Sequence, residues 1–235
     1  MRNVVKHFWQ LFAIEIIIMN ILHKGCFFLL CLIYTIKISG QDNLLQNGYD
    51  SIRYDSLRII LEVMYDKDQN IRKLIYDSME TNPNENSKYV TQMISIDRDN
   101  LSVLIPILDT YGWIPQSEIG VKAGSALFYV IQHSNIELMN KYFPQLDSLS
   151  KIGEADRGQA AFMQDRLLMW KGFKQIYGTQ ATTSLRTDKS LVIWPIMEPD
   201  KVDSLRRSIG FELSVSENAK RLGAIYNPAE ELPKK

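Results

Sequence analysis

From Asp50 onward, apolar residues recur at three- and four-residue intervals, the spacing of one face of an α-helix. Leu57, Ile60, Leu61 and Met64 form the first stripe, which continues through Ile71, Leu74 and Ile75. It stops at Thr81 to Asn86, where a proline among three asparagines predicts a loop. A second stripe runs through Val90, Met93, Ile94, Leu101, Leu104, Ile105 and Leu108. It is expected to be two shorter helices, because Asn100 can cap a new start and Pro106 lacks the amide that continues a helix. Gly112 then stands where a helix end wants a positive φ angle, and Gly178 occupies a similar place further on.

A third helix is expected from about Ser117 to Ser134 and a fourth from Ile136 to about Leu149. The fifth opens at Asp156, with Gln159 placed to complete a capping box, and closes at Lys171 and Gly172. It is apolar on two sides: Met163, Leu167 and Trp170 form one face, and Ala161, Leu168 and Met169 a second around Asp165. Such a helix passes through the middle of a domain. Beyond it, Thr182 to Ile196 carries β-branched residues around Thr187, Asp188 and Lys189 and predicts a short hairpin. Asp200 to Ser208 makes a small helix stopped by Gly210, and the residues from Asn227 read as a polar, frayed tail. The fold class is mainly α: an orthogonal helical domain over 41–226 with a small C-terminal β-hairpin, followed by the tail 227–235.

The segment before residue 41 has a different texture. Cys26 to Ile36 is an eleven-residue apolar run between Lys24 and the small and polar residues Ser39, Gly40 and Gln41. A spanning helix needs about 20 residues. A basic flank, a short apolar run and small residues at its end describe a secretory signal peptide, so 1–40 is expected to be a cleaved leader. Initiation at Met19 would give it ordinary length. The alternative is a membrane anchor in which Phe8 to Leu22 pairs with this run, against which Glu15 near a bilayer centre costs roughly 2 to 3 kcal/mol. The expected location is periplasmic or secreted, the alternative the inner membrane.

Charge and cysteine narrow the function classes. Both cysteines of the chain, Cys26 and Cys31, lie in the leader, which excludes thiol and disulfide chemistry from the rest. Beyond residue 40 there remain 23 basic and 26 acidic residues, with no basic block, which argues against nucleic acid as partner. His133 is the one histidine outside the leader, so a usual zinc site is not expected, and no cofactor is indicated.

The segments YGWIP (Tyr111 to Pro115), IQHS (Ile131 to Ser134), QDRLL (Gln164 to Leu168), QIYGTQ (Gln175 to Gln180) and WPIMEPDKVDSLRRSIG (Trp194 to Gly210) resemble, in content and order, the bacterial domain of unknown function 6624. The resemblance covers roughly Asn100 to Gly210 and departs at Leu127 and Phe128, where a small residue and a tryptophan are expected. It implies a shared domain and no reaction.

The candidate polar site comprises Trp113, Gln132, His133, Asp165, Arg166, Tyr177 and Gln180. His133 is either a satisfied core histidine or a general acid or base. Asp165, near the core, needs partners. It either clamps a loop through backbone amides, or orients His133 or meets a ligand. Arg166 projects about 100° away from Asp165 and needs partners of its own. Two functions follow: a binding or interaction domain for a small molecule or an envelope component, or a hydrolase-like enzyme with His133 as base and Asp165 beside it. Ser125 and Ser134 lack a nucleophile-elbow pattern, which favours binding.

Overall fold

The computed structural model describes residues 54–79 and 81–233. The leader, its cleavage and the start of the domain at residue 41 lie outside them. The described residues fall in one compact unit, whose first helix, α1, spans 54–79. It is followed by α2 (Pro83–Tyr111), α3 (Gln116–Gln132), α4 (Ile136–Lys151) and α5 (Arg157–Trp170). Strands β1 (Ala181–Thr182) and β2 (Val192–Ile193) and helices α6 (Val202–Ser208) and α7 (Val215–Leu222) complete the chain. The fold is mainly helical with one small antiparallel sheet near the C-terminus, as the pattern predicted.

Helix α1 buries Leu57, Leu61, Met64, Ile71 and Ile75, while Ile60 and Leu74 are exposed. Its inward stripe follows strict four-three spacing, and that spacing puts Asp68 and Ser78 in the stripe as well. The expected loop is shorter than Thr81 to Asn86. Asn82 caps α2 by accepting from the Glu85 amide, so the helix starts inside the segment. The second stripe is one helix and not two. Asn100 is buried within it instead of capping a new start. Pro106 is tolerated because both it and Ser102, whose carbonyl loses its amide partner, face solvent. Gly112 has the expected positive φ, 69°, and its amide closes α2 on the Leu108 carbonyl.

The main core joins the inward faces of α1 to α5: Leu61, Leu104, Leu108, Ile119, Leu127, Ile131, Met139, Leu146 and Met163 are all within it. Asp156 caps α5 by accepting from the Gln159 amide, but the Gln159 side chain turns to Ser125 Oγ at 3.0 Å, so the reciprocal half of the capping box is not made. Helix α5 buries Met163 and Leu167 on one side and Ala161 and Asp165 on the other, while Leu168 and Met169 are only half-buried and Trp170 at its end is exposed.

A second small core of Ile193, Ile196, Val202, Val215 and Ala219 sits under the hairpin. The hairpin pairs Ala181 with Ile193 and Thr182 with Val192. Helix α7 was not anticipated, although its full capping box, Ser214 with Glu217, is written in the sequence. The tail is held: the Ile225 amide bonds the Leu191 carbonyl, and Arg186 pairs with Glu230.

Candidate functional site

Asp68 is the first piece. It lies on the buried stripe of α1, 1 % exposed, so its charge requires partners. Arg72, one turn on, meets Asp68 Oδ1 at 2.8 Å, and the Gln69 amide donates to Oδ2 at 2.7 Å. His133 Nδ1 lies 3.0 Å from Oδ1. Arg72 also donates to both oxygens of Asp97 at 3.0 Å, which ties α1 to α2.

His133 caps the C-terminus of α3, its amide bonded to the Tyr129 carbonyl. Its ring stacks on Tyr129 with centroids 5.9 Å apart. A carboxylate that accepts from Nδ1 fixes the tautomer, so Nε2 is the nitrogen left for a ligand or a proton. Nε2 has no hydrogen bond among the described residues.

Arg166 is the second piece. It reaches from α5 to the end of α3, where Nη1 donates to the Gln132 carbonyl at 2.8 Å. That carbonyl is one of the last of α3 and has no amide of the next turn to accept from, so a cation fits there. Nε donates to Gln180 Oε1 at 3.3 Å. Both partners are neutral, and among the described residues no carboxylate pairs with this guanidinium. Burial, and then the charge of Arg72, lower its pKa from the ordinary arginine value. Both act against the cation, and an anion beside it would relieve both.

His133 and Arg166 line a cleft of about 440 Å³, with Asp68 and Arg72 behind the histidine. Helix α3 contributes Phe128, Tyr129, Gln132 and His133, and α5 contributes Gly158, Gln159, Phe162 and Arg166 below its cap Asp156. Phe211, edge-on to Phe162 at 5.7 Å, closes one side. Burial raises the Tyr129 pKa, with Tyr65, Asp68 and Asp156 adding to it, so the phenol is neutral. Gln132 is 4 % exposed, and its Oε1 is enclosed without a hydrogen-bond partner among the described residues. An orphaned buried amide at the wall of a cleft is uncommon in a folded protein.

The other expected site residues are elsewhere. Asp165 does not touch His133. It is fully buried and accepts from the amides of Ile176 at 2.8 Å and of Tyr177 and Thr179 at 3.1 Å, and from the Thr179 hydroxyl at 3.0 Å. It therefore clamps the loop after α5, and the orienter of His133 is Asp68. Burial raises the Asp165 pKa, while the donors from Ile176, Thr179 and Tyr177 oppose the shift. Trp113 is buried in the main core, its amide donating to Gln145 Oε1. Tyr177 lines a separate hollow with Lys151 and Arg157. Gln180 touches the site indirectly, as the brace of Arg166.

Asp68, Arg72 and the aromatic walls escaped the sequence reading. Asp68 had a signal, a lone acid four residues after Met64 and three before Ile71 in an apolar stripe. On α5, Gln159, Phe162 and Arg166 share one face by spacing. Phe211 had none, since it arrives from beyond α6.

Among the described residues, no helix is long and apolar enough to cross a membrane, and no group of three His, Cys, Asp or Glu could hold a metal ion. No curated protein and no solved structure matches the chain. The family of unknown function DUF6624 matches residues 55–227, which extends the similarity to α1 and to α7, beyond the blocks from Asn100 to Gly210. The chain belongs to that family.

Proposed function

We propose that this protein is a ligand-binding domain of the cell envelope whose cleft takes a small organic anion. The observation that carries this reading is Arg166, a half-buried guanidinium at an open cleft with neutral partners only. A buried charge is normally paired, and a carboxylate or phosphate from a ligand would make one or two charge-assisted hydrogen bonds with it. The walls of Phe128, Phe162 and Phe211 suit an apolar body attached to that anion. Export rests on the short apolar run before residue 41.

The test is a thermal-shift and calorimetric titration of the purified protein with benzoate and phenyl phosphate. At a hundredfold excess over Kd, binding to the native state stabilises it by about 2.7 kcal/mol, which is read as a raised midpoint. Arg166→Met should weaken that binding by roughly 10- to 100-fold. An unchanged midpoint with both anions, or equal binding by the variant, refutes the reading.

The 3.0 Å contact of Asp68 with His133 favours a second reading, hydrolysis with Nε2 of His133 as general base on a water. Any anion that binds, presented as its ester, should then be cleaved by the native protein and at least about 100-fold more slowly by His133→Ala, with binding retained. Equal ester cleavage rates measured by liquid chromatography would leave the binding domain alone standing.

A further inference from the structure

We infer that the cleft accepts an N-acylated α-amino acid with an apolar side chain, the chemistry of the C-terminal residue of a short peptide. This rests on the cleft being an anion site, and it adds what the neighbour of Arg166 requires. Gln132 and Arg166 are joined, since Arg166 Nη1 donates to the Gln132 carbonyl at 2.8 Å, and both residues line the cleft. The Gln132 amide is the unpartnered group: Oε1 is enclosed without a donor, and its Nε2 has no hydrogen bond among the described residues.

A primary amide offers one acceptor and one donor side by side. The unmet end is the acceptor Oε1, and the N–H of a secondary amide, whose carbonyl points the opposite way in the trans form, supplies the donor it lacks. The terminal torsion of glutamine is broad and roughly two-fold, so the two ends can exchange to meet it. A guanidinium next to that amide then asks for a carboxylate within a few ångströms of the ligand N–H. An α-amino acid carboxylate acylated on nitrogen has that arrangement. The side chain on its α-carbon would lie against Phe128, Phe162 and Phe211.

A ligand series on the purified protein separates the parts by isothermal titration. N-acetyl-L-phenylalanine should bind. 3-Phenylpropanoate, which keeps the ring and carboxylate but lacks the N–H, should bind at least about tenfold more weakly, because the Gln132 amide is again unpaired. N-acetyl-L-phenylalaninamide, which lacks the charge, should also lose at least about tenfold. Glycyl-glycyl-phenylalanine binding as well as the acetyl compound points to a peptide end, and weaker binding to a small N-acyl amino acid. In Gln132→Met the preference for N-acetyl-L-phenylalanine over 3-phenylpropanoate should vanish. If 3-phenylpropanoate binds the native protein as tightly as N-acetyl-L-phenylalanine, the anion site stands and this inference falls. If benzoate and phenyl phosphate bind but no member of the series does, the inference also falls. If no anion binds at all, both readings fall together. The native protein alone decides these cases, whatever the stability of the variant.

Discussion

Asp165→Ala is expected to destabilise the protein by about 3 to 5 kcal/mol, more than any change in the cleft itself. The carboxylate is fully buried and holds the amides of Ile176, Tyr177 and Thr179 together with the Thr179 hydroxyl. Each stranded buried donor costs about 1 to 3 kcal/mol, reduced where the loop opens and water enters. Asp165→Asn keeps the shape but presents an NH₂ group to donors, and should lose roughly 2 to 3 kcal/mol. Equilibrium urea unfolding of the native protein and both variants measures these values. A midpoint within error of native for Asp165→Ala would mean that the clamp does not support the fold. The effect also reaches the cleft. Gln180, which braces Arg166 at 3.3 Å, follows the clamped loop, so a loosened loop should weaken anion binding as well.

Gly178→Ala should lose about 2 to 5 kcal/mol from two separate causes. At φ 67° a side chain is strained by about 1 to 2 kcal/mol. The added Cβ would also stand 2.6 Å from Val215 Cγ2 and 3.1 Å from Ile196 Cδ1. Both are members of the small second core, so α7 or the hairpin must move, at roughly 1 to 3 kcal/mol. Gly153→Ala isolates the first cause, since its φ is 82° and nothing lies within 4 Å of its added Cβ. It should lose only about 1 kcal/mol. Equal losses in the two variants, by the same urea measurement, would show that packing around Gly178 gives way freely.

The candidate site was legible to the extent that its chemistry sits on regular elements. His133, Gln132 and Arg166 were singled out because they are polar residues at the ends or on the faces of predicted helices, and all three line the cleft. Of the two readings of Asp165, the loop clamp holds, and the one that set it beside His133 does not. Asp165 is near it in the order of helices, and proximity in that order does not decide contact. Both oxygens of Asp165 are taken by the loop that follows its own helix, 11 to 14 residues on. Asp68 is 65 residues from His133 and reaches it only because α1 lies along α3.

What the sequence determined by itself is local. Three- and four-residue spacing produced α3, α4 and α5 within a few residues, and the turn residues around Asp188 produced the hairpin. Capping chemistry wrote the starts of α5 and α7. These follow from hydrogen bonds and side-chain directions within one or two turns, which neighbouring residues fix. The spacing of α1 marked Asp68 as part of the apolar stripe, but the tertiary structure decided which partners its buried charge meets, Arg72 and His133. It also decided that Phe211 closes the cleft beside Phe162, and that Arg166 meets neutral acceptors instead of an acid. The physical reason is that a buried charge accepts whichever partner packing brings within about 3 Å, and that choice is made across helices, where sequence spacing carries no information.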